Sequence, residues 1–367
     1  MFFNFWGFLG VTTLFSIKTN TMEMGIGFFG DLTFDRKTRE YQKPADRLRD
    51  IVELVSLADD LGIDVVTMGE HHRVDYSIAA PEIMLAALST VTDHIKLASG
   101  VNVVSSSDPV KLYQDFSMID LLSNQRAEII AGRGSFIESF PLFGYDLNDY
   151  NELFEEKLEL LLELQKNEAI NWQGKFRAPL RDQSIYPLPE RPISVWIAVG
   201  GTTSSVARAG RLGLPVIFGI IGGSPDQFKP LVQFYKEQYI EHGHDPSQMQ
   251  IGVQVHLFVE NVREDILKNY FPYYAYSMDK IGRERGWTGY TLDRFQSGMS
   301  PYGALFMGEP DEVTEKIIRT AEMFGLTRFV GQIDVGGPSH LQLMKTIELY
   351  GTRVIPAVRE HFDQVDV

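Results

Sequence analysis

Eight short apolar runs, each followed by an amphipathic helical stretch, predict an α/β fold in which a parallel sheet closes into a (β/α)8 TIM barrel. Two further observations point the same way. The runs are apolar throughout and do not alternate with polar residues, as expected of strands covered on both faces. A short signature also recurs: Leu61-Gly62-Ile63, Leu212-Gly213-Leu214 and Phe324-Gly325-Leu326 each close a helical stretch and open an apolar run. Glycine there supplies the left-handed residue that stops a helix, and the hydrophobe after it packs back on the last turn. Eight such units favour closure over a doubly wound sheet.

The elements follow in order. Met1 to Ile17 is apolar and aromatic but has no basic start and no small-residue cleavage site. Residues 1–21 are therefore expected to be an N-terminal extension, ahead of one barrel domain over 22–367. Strands are expected at Met24–Phe29, Ile63–Met68, Ile95–Val104, Ala127–Ala131, Val195–Val199, Pro215–Ile220, Ile251–Glu260 and Arg328–Ile333, from their β-branched apolar content. Helical periodicity puts Leu48, Ile51, Val52, Val55 and Ala58 on one face, and Phe154, Leu158, Leu161 and Leu162 on another. A barrel needs roughly 250 residues, so the chain of 367 has room for insertions. They are expected at the C-terminal face, from Asn167–Ile193 and Tyr270–Gly303. The second is dense in aromatics and reads either as a lid over an apolar pocket or, for Tyr270–Tyr276, as a helical core stripe.

Composition narrows the function. The chain has no cysteine, which excludes thiolate metal centres, disulfides and a cysteine nucleophile. A net charge of −15 argues against nucleic acid and anionic membrane as partners and leaves a small molecule. A cytoplasmic location is expected.

In a barrel the functional groups stand where the strands end. Gly69-Glu70-His71-His72 follows the second run, Gly100-Val101-Asn102 the third, Gly132-Arg133-Gly134 the fourth and Gly200-Gly201-Thr202-Thr203-Ser204-Ser205 the fifth. The last of these is an anion site at a helix N-terminus or a plain Ser/Thr cap. Arg133 offers a donor fork for a phosphate or makes an ion pair. His71 is a candidate acid/base group or a structural hydrogen-bonder. A metal site is not expected, because adjacent histidines at a strand end point apart and no His-Glu-x-x-His helix occurs. His256 lies inside a strand and reads as a core histidine. No nucleophile elbow, phosphate-binding Walker loop or dinucleotide fingerprint is present.

Six segments in order then resemble one family. They are Thr67-Met68-Gly69-Glu70-His71-His72, Ala98-Ser99-Gly100-Val101-Asn102-Val103-Val104, Asp108-Pro109 with Asp115 to Ser123, Ala131-Gly132-Arg133-Gly134, Ala198-Val199-Gly200-Gly201-Thr202, and Gly336-Gly337-Pro338 to Pro356. From Met24 onward the chain resembles the bacterial-luciferase-like flavin-dependent monooxygenases. The resemblance implies a barrel that binds FMN, usually as a homodimer, and oxygenates a small apolar substrate with O2 through a flavin C4a-hydroperoxide. Reduced flavin would come from a separate reductase. It implies His71 as the catalytic residue, and cofactor contacts at Met68, Gly100, Val101, Asn102, Gly132, Arg133, Gly134, Gly200, Gly201, Thr202 and Ser205. It also implies a cis peptide at Gly100-Val101. The alternatives on the same fold are hydride transfer with the deazaflavin F420 and a non-catalytic flavin-binding protein. Two positions depart from the family pattern: Gln125 stands where glycine is usual, and no proline follows Gly200-Gly201-Thr202.

Overall fold

The computed structural model describes residues 22–134, 136–166 and 169–365. The expected extension, 1–21, lies outside them. Eight strands run parallel: β1 (Glu23–Phe28), β2 (Val65–Met68), β3 (Lys96–Ser99), β4 (Ala127–Gly132), β5 (Ser194–Val199), β6 (Val216–Ile220), β7 (Ile251–Val259) and β8 (Arg328–Gln332). Each pairs with the next, β8 pairs with β1, and the ring closes. The fold is a (β/α)8 barrel. No helix among the described residues is long and apolar enough to cross a membrane.

Expected and observed strands agree to within a residue or two, with one informative exception. The run Ile95–Val104 is not one strand. It breaks after Ser99 at the cis peptide Gly100–Val101 and resumes as Asn102–Val103, hydrogen-bonded to the end of β4. Helix boundaries follow local chemistry. Helices Pro44–Asp60, Pro81–Leu88, Pro109–Leu122 and Pro310–Phe324 all begin with proline, whose missing N–H costs nothing in the first turn. The three repeated glycines, Gly62, Gly213 and Gly325, all take left-handed φ values between +65° and +71°. Gln125 takes φ +67°, a conformation glycine adopts more easily, which accounts for the family's preference there.

Side chains alternate along each strand. Outward residues such as Ile26, Val66, Ile129 and Val253 pack under the helices in the main core. Inward residues fill the barrel in layers. At the N-terminal end Arg328, 1% exposed, donates to both oxygens of Glu128 (2.6 and 3.1 Å) and to Glu23 (2.7 Å), and Lys96 pairs with the same two carboxylates. Above lies an apolar layer of Val65, Ala98, Ile130, Trp196, Ile217 and Val330. The Arg328 guanidinium sits 4.1 Å from the Trp196 ring and joins the two layers.

The insertions settle the two readings of the aromatic segment. Tyr270 and Tyr274 are buried, with Tyr270 stacked on Phe258 at 4.0 Å, so Tyr270–Tyr276 is a packed helical stripe. Trp287 and Tyr302 are 44% and 64% exposed and stand at the mouth. The first insertion forms the hairpin Ile170–Trp172 with Leu180–Gln183.

Burial pushes the Glu128 carboxyl up, but Arg328 and Lys96 outweigh it and hold it below its ordinary value. Such a depressed carboxylate stabilises the fold above its unfolded pKa, and that contribution is lost as pH falls through the folded value. Arg328→Met strands a buried carboxylate and is expected to cost about 3–5 kcal/mol in urea unfolding at pH 7. The same variant should lose less stability than the parent between pH 5 and pH 3, because protonation then relieves the unpaired charge.

Candidate functional site

The C-terminal ends of the strands surround a cleft of about 360 Å³. Its floor is backbone. A side chain on Gly132 would meet Val101 at 2.6 Å, and one on Gly100 would meet Thr67 at 2.5 Å, so both positions require glycine to let the strand ends approach. Glu70 fastens this floor: one carboxylate oxygen accepts from the Val103 N–H (2.7 Å) and the other is 2.9 Å from His72 Nε2.

His71 turns the other way, into the cleft. Its backbone N–H donates to Ile78 O (3.0 Å), and its ring packs among Tyr76, Phe29 and Phe136 with centroids 4.4, 4.8 and 5.3 Å away. Nε2 has no partner among the described residues. Burial, aided by Arg73 and His72 and opposed by Asp75, lowers its pKa to about 3. The imidazole is neutral at physiological pH.

Across the cleft stands a cationic cradle. Arg133 follows β4, rests 5.0 Å over the Tyr150 ring, and donates to Asn151 Oδ1 (2.8 Å), Thr202 Oγ1 (3.1 Å) and Ser205 Oγ (3.0 Å). All its partners are neutral, so the ion-pair alternative is not realised among the described residues. Thr202 occupies the N-cap of helix Thr203–Leu212 but makes no capping bond; its hydroxyl donates to Ser205 instead. The helix start keeps unpaired N–H groups beside a guanidinium and two hydroxyls. Side chains at Gly200 and Gly201 would meet nothing within 4 Å, so the loop borders open space.

The structure therefore brings His71, Gly100, Val101, Gly132, Arg133, Gly134, Gly200 and Thr202 to one cleft, with Ser205 and Gly201 beside it. Two of the expected residues do not line the cleft. Met68 points out of the barrel into the main core, because the alternation along β2 sends Thr67 inward. Asn102 is 2% exposed and does not line the cleft.

A second cavity, about 790 Å³, opens beside the cleft and shares Phe29, His71, Gly219 and His256 with it. Its walls are largely aromatic and aliphatic, contributed by the helices Phe271–Arg285 and Leu292–Met299. Asp31 borders it. Burial and the neighbouring Asp334 carboxylate push the Asp31 carboxyl well up, while Asp334 itself accepts from the N–H groups of Phe29, Gly30 and Asp31 and from Gln332. No group able to hold a metal ion is found among the described residues.

The sequence reading missed Asn151 and Tyr150, which come from a helix with no motif, and it placed His256 in the core. The period-two alternation of β7, which turns Gln254 and His256 inward, was the signal available for the latter.

The luciferase-like monooxygenase model matches residues 24–331. The chain belongs to that family. It is 21% identical over 347 residues to the alkanal monooxygenase alpha chain of the Kryptophanaron alfredi symbiont, covering 87% of this chain and 96% of that one. It is 30% identical over 178 residues to an F420-dependent glucose-6-phosphate dehydrogenase of Amycolatopsis mediterranei, covering 45% of this chain and 51% of that one. Among solved structures it resembles the oxygenating constituent of 3,6-diketocamphane monooxygenase from the CAM plasmid of Pseudomonas putida, in complex with FMN. There the TM-score is 0.72 at 20% identity, over 92% of this chain and 99% of the other. The family thus includes both FMN-dependent and F420-dependent oxidoreductases.

His256 is also pushed down by burial, to about 4. Both rings should stay neutral at pH 5 in nitrogen NMR of histidine-labelled protein. In the unfolded chain they titrate near 6.5. The unfolded state then binds more protons between roughly pH 6.5 and 4, so stability should fall as pH drops through that window. A ring titrating near 6.5 in the folded protein would show that water reaches it freely.

Proposed function

We propose that this chain is the FMN-binding oxygenase of a two-component monooxygenase, which uses reduced flavin and O2 to oxygenate a small, largely apolar substrate. The cradle of Arg133, Thr202 and Ser205 carries this reading. An uncompensated guanidinium, two hydroxyls and an uncapped helix start make a donor set for a phosphate monoester, and the bare loop at Gly200-Gly201 leaves room for one. Arg133, Thr202 and Ser205 would hold the phosphate, while Gly100, Val101, Gly132 and Gly134 would border the ring system. Met68 and Asn102 take no part. Reduced FMN, when bound, supplies the electrons that activate O2.

The protein's own contribution is placement, dryness and one mobile proton. The aromatic walls keep water from the junction of the two spaces. A neutral His71 there can hydrogen-bond or exchange a proton with the oxygen being transferred. The absence of a dinucleotide fingerprint in the sequence leads us to assign flavin reduction to a separate reductase. F420 carries a similar ring and ribityl phosphate, so the same cradle would accept it; the mass of the chromophore that binds decides between the two. We also propose a homodimer. Ile83, Met118 and Leu122 are 68%, 52% and 58% exposed on the adjacent helices Pro81–Leu88 and Pro109–Leu122, an apolar face that a second copy would cover.

Three outcomes test these statements. Arg133→Ala is expected to lose roughly 2–4 kcal/mol of FMN affinity in calorimetry, with riboflavin nearly indifferent; equal losses for both would remove the phosphate assignment. His71→Ala should lower substrate oxygenation on the order of 10²–10⁴-fold while O2 is still consumed and hydrogen peroxide released. Unchanged coupling would move that role to another residue. Sedimentation should give twice the chain mass, with Met118→Glu shifted toward monomer.

A further inference from the structure

Below the cleft two glutamines stand in line behind a carboxylate. Asp334, just past β8, accepts from the N–H groups of Phe29 (3.0 Å), Gly30 (2.7 Å) and Asp31 (3.3 Å). The neighbouring Asp31 carboxyl accepts from one N–H, that of Gly336. Converging donors favour the ionised form, so of the two it is Asp334 that carries the charge.

That carboxylate sets the direction of both amides. An ionised carboxylate only accepts, so the Gln332 group 2.8 Å from Asp334 Oδ1 is its Nε2. Gln332 Oε1 then faces Gln254, and the group that meets it at 2.9 Å is again an Nε2. Reversing either amide would press two acceptors together. The bare backbone of Gly27 makes room for this arrangement, since a side chain there would meet Gln332 Oε1 at 2.4 Å. The line ends at Gln254 Oε1. Gln254 projects from β7, lines the cleft, and makes no other side-chain bond among the described residues. Its Oε1 is not closed in by protein and reaches the open volume. The side chains of Phe29, Val101, Ala198 and Ile217 along the same floor carry no donor.

We infer that Gln254 is a cofactor-binding residue whose Oε1 accepts the imide N–H of the isoalloxazine ring, with Gln332 and Asp334 as positioning residues behind it. The inference rests on the oxygenase reading and fixes how the ring lies in that same site. An open acceptor calls for a donor on the ligand. The oxidised ring system has one, the N–H between its two carbonyls, and keeps it on reduction. Those carbonyls also accept, so the second Nε2 hydrogen of Gln254 finds a partner on the same edge. The ribityl hydroxyls would lead back to the phosphate cradle at the ends of β4 and β5, and β4 stands opposite β8 in the closed ring of strands. Phosphate and imide edge would thus hold the cofactor from two sides of the barrel.

The test is calorimetric titration of the full chain with FMN and with 3-methyl-FMN, in which a methyl group replaces the imide hydrogen. Both flavins are used oxidised and, in the absence of oxygen, reduced. The unaltered protein should bind FMN roughly tenfold tighter than the methylated flavin in both states. Gln254→Leu keeps the volume but cannot accept, and should bring the two flavins to within about twofold. Gln332→Met leaves the Gln254 amide without its orienting partner and should reduce the preference to about threefold. A ratio of two affinities does not respond to a general loss of stability, so an unchanged ratio in Gln332→Met overturns the positioning role. Equal affinities in the unaltered protein overturn the inference and leave the oxygenase reading standing. So does a preference that survives Gln254→Leu, which is what a steric clash with the methyl group would give. Failure to bind FMN in either state overturns the oxygenase reading and this inference with it.

Discussion

A parallel barrel of eight strands has an interior that must be filled, and how this chain fills it determines where a ligand can go. Two carboxylates, an arginine and a lysine occupy the N-terminal end, with charges balanced two against two. Trp196 and five aliphatic residues occupy the middle. Toward the other end several inward positions become small, Gly27, Gly100, Gly132, Ala198 and Gly219, beside the longer Gln254, His256 and Gln332. The filling therefore runs out at the C-terminal rim, and the unfilled volume there is the cleft. A buried ionic layer is not an efficient source of stability. Its value here is that long side chains close the far end and leave one open face.

Electrostatics at the rim divide the site into two halves of different character. On one side Arg133 keeps its charge uncompensated and surrounds itself with hydroxyls and an amide, which suits a dianion. On the other side burial keeps His71 and His256 neutral at physiological pH and, with Asp334, pushes the Asp31 carboxyl well up, while Arg285 and Arg294 also reach the lining. The neutral imidazoles and the aromatic and aliphatic walls around them suit an apolar ligand. One anionic end and one apolar reacting end are what this division accommodates.

The second half is held in shape by contacts that cross the chain. Arg73, just past His71, bonds Glu284 at 2.6 and 2.8 Å and Glu138 at 2.7 Å. These tie the loop after β2 to the end of helix Phe271–Arg285. Tyr270 donates to Val335 O at 2.9 Å and anchors the start of the same region to the segment after β8. The aromatic insertion is thus a fixed wall along most of its length, with its exposed rings confined to the rim.

The sequence by itself determined the barrel and the rim. Strand runs buried on both faces and the three left-handed glycines are local features, legible because backbone sterics and burial act over a few residues. The same locality put His71, Gly100, Gly132, Arg133 and Thr202 at strand ends, hence at one face. What lay beyond it was orientation across the fold. Met68 and Asn102 sit in the right segments, but neither side chain lines the cleft. The partners Asn151 and Tyr150 reach Arg133 from a helix whose own pattern records only its buried face. His256 has the same one-letter signature whether it is a core group or a cavity wall, and only the Tyr274 hydroxyl beside its Nδ1 and the cavity it borders decided which. Such pairings depend on distances between elements far apart in the chain, which closure of the barrel creates and local propensity does not encode.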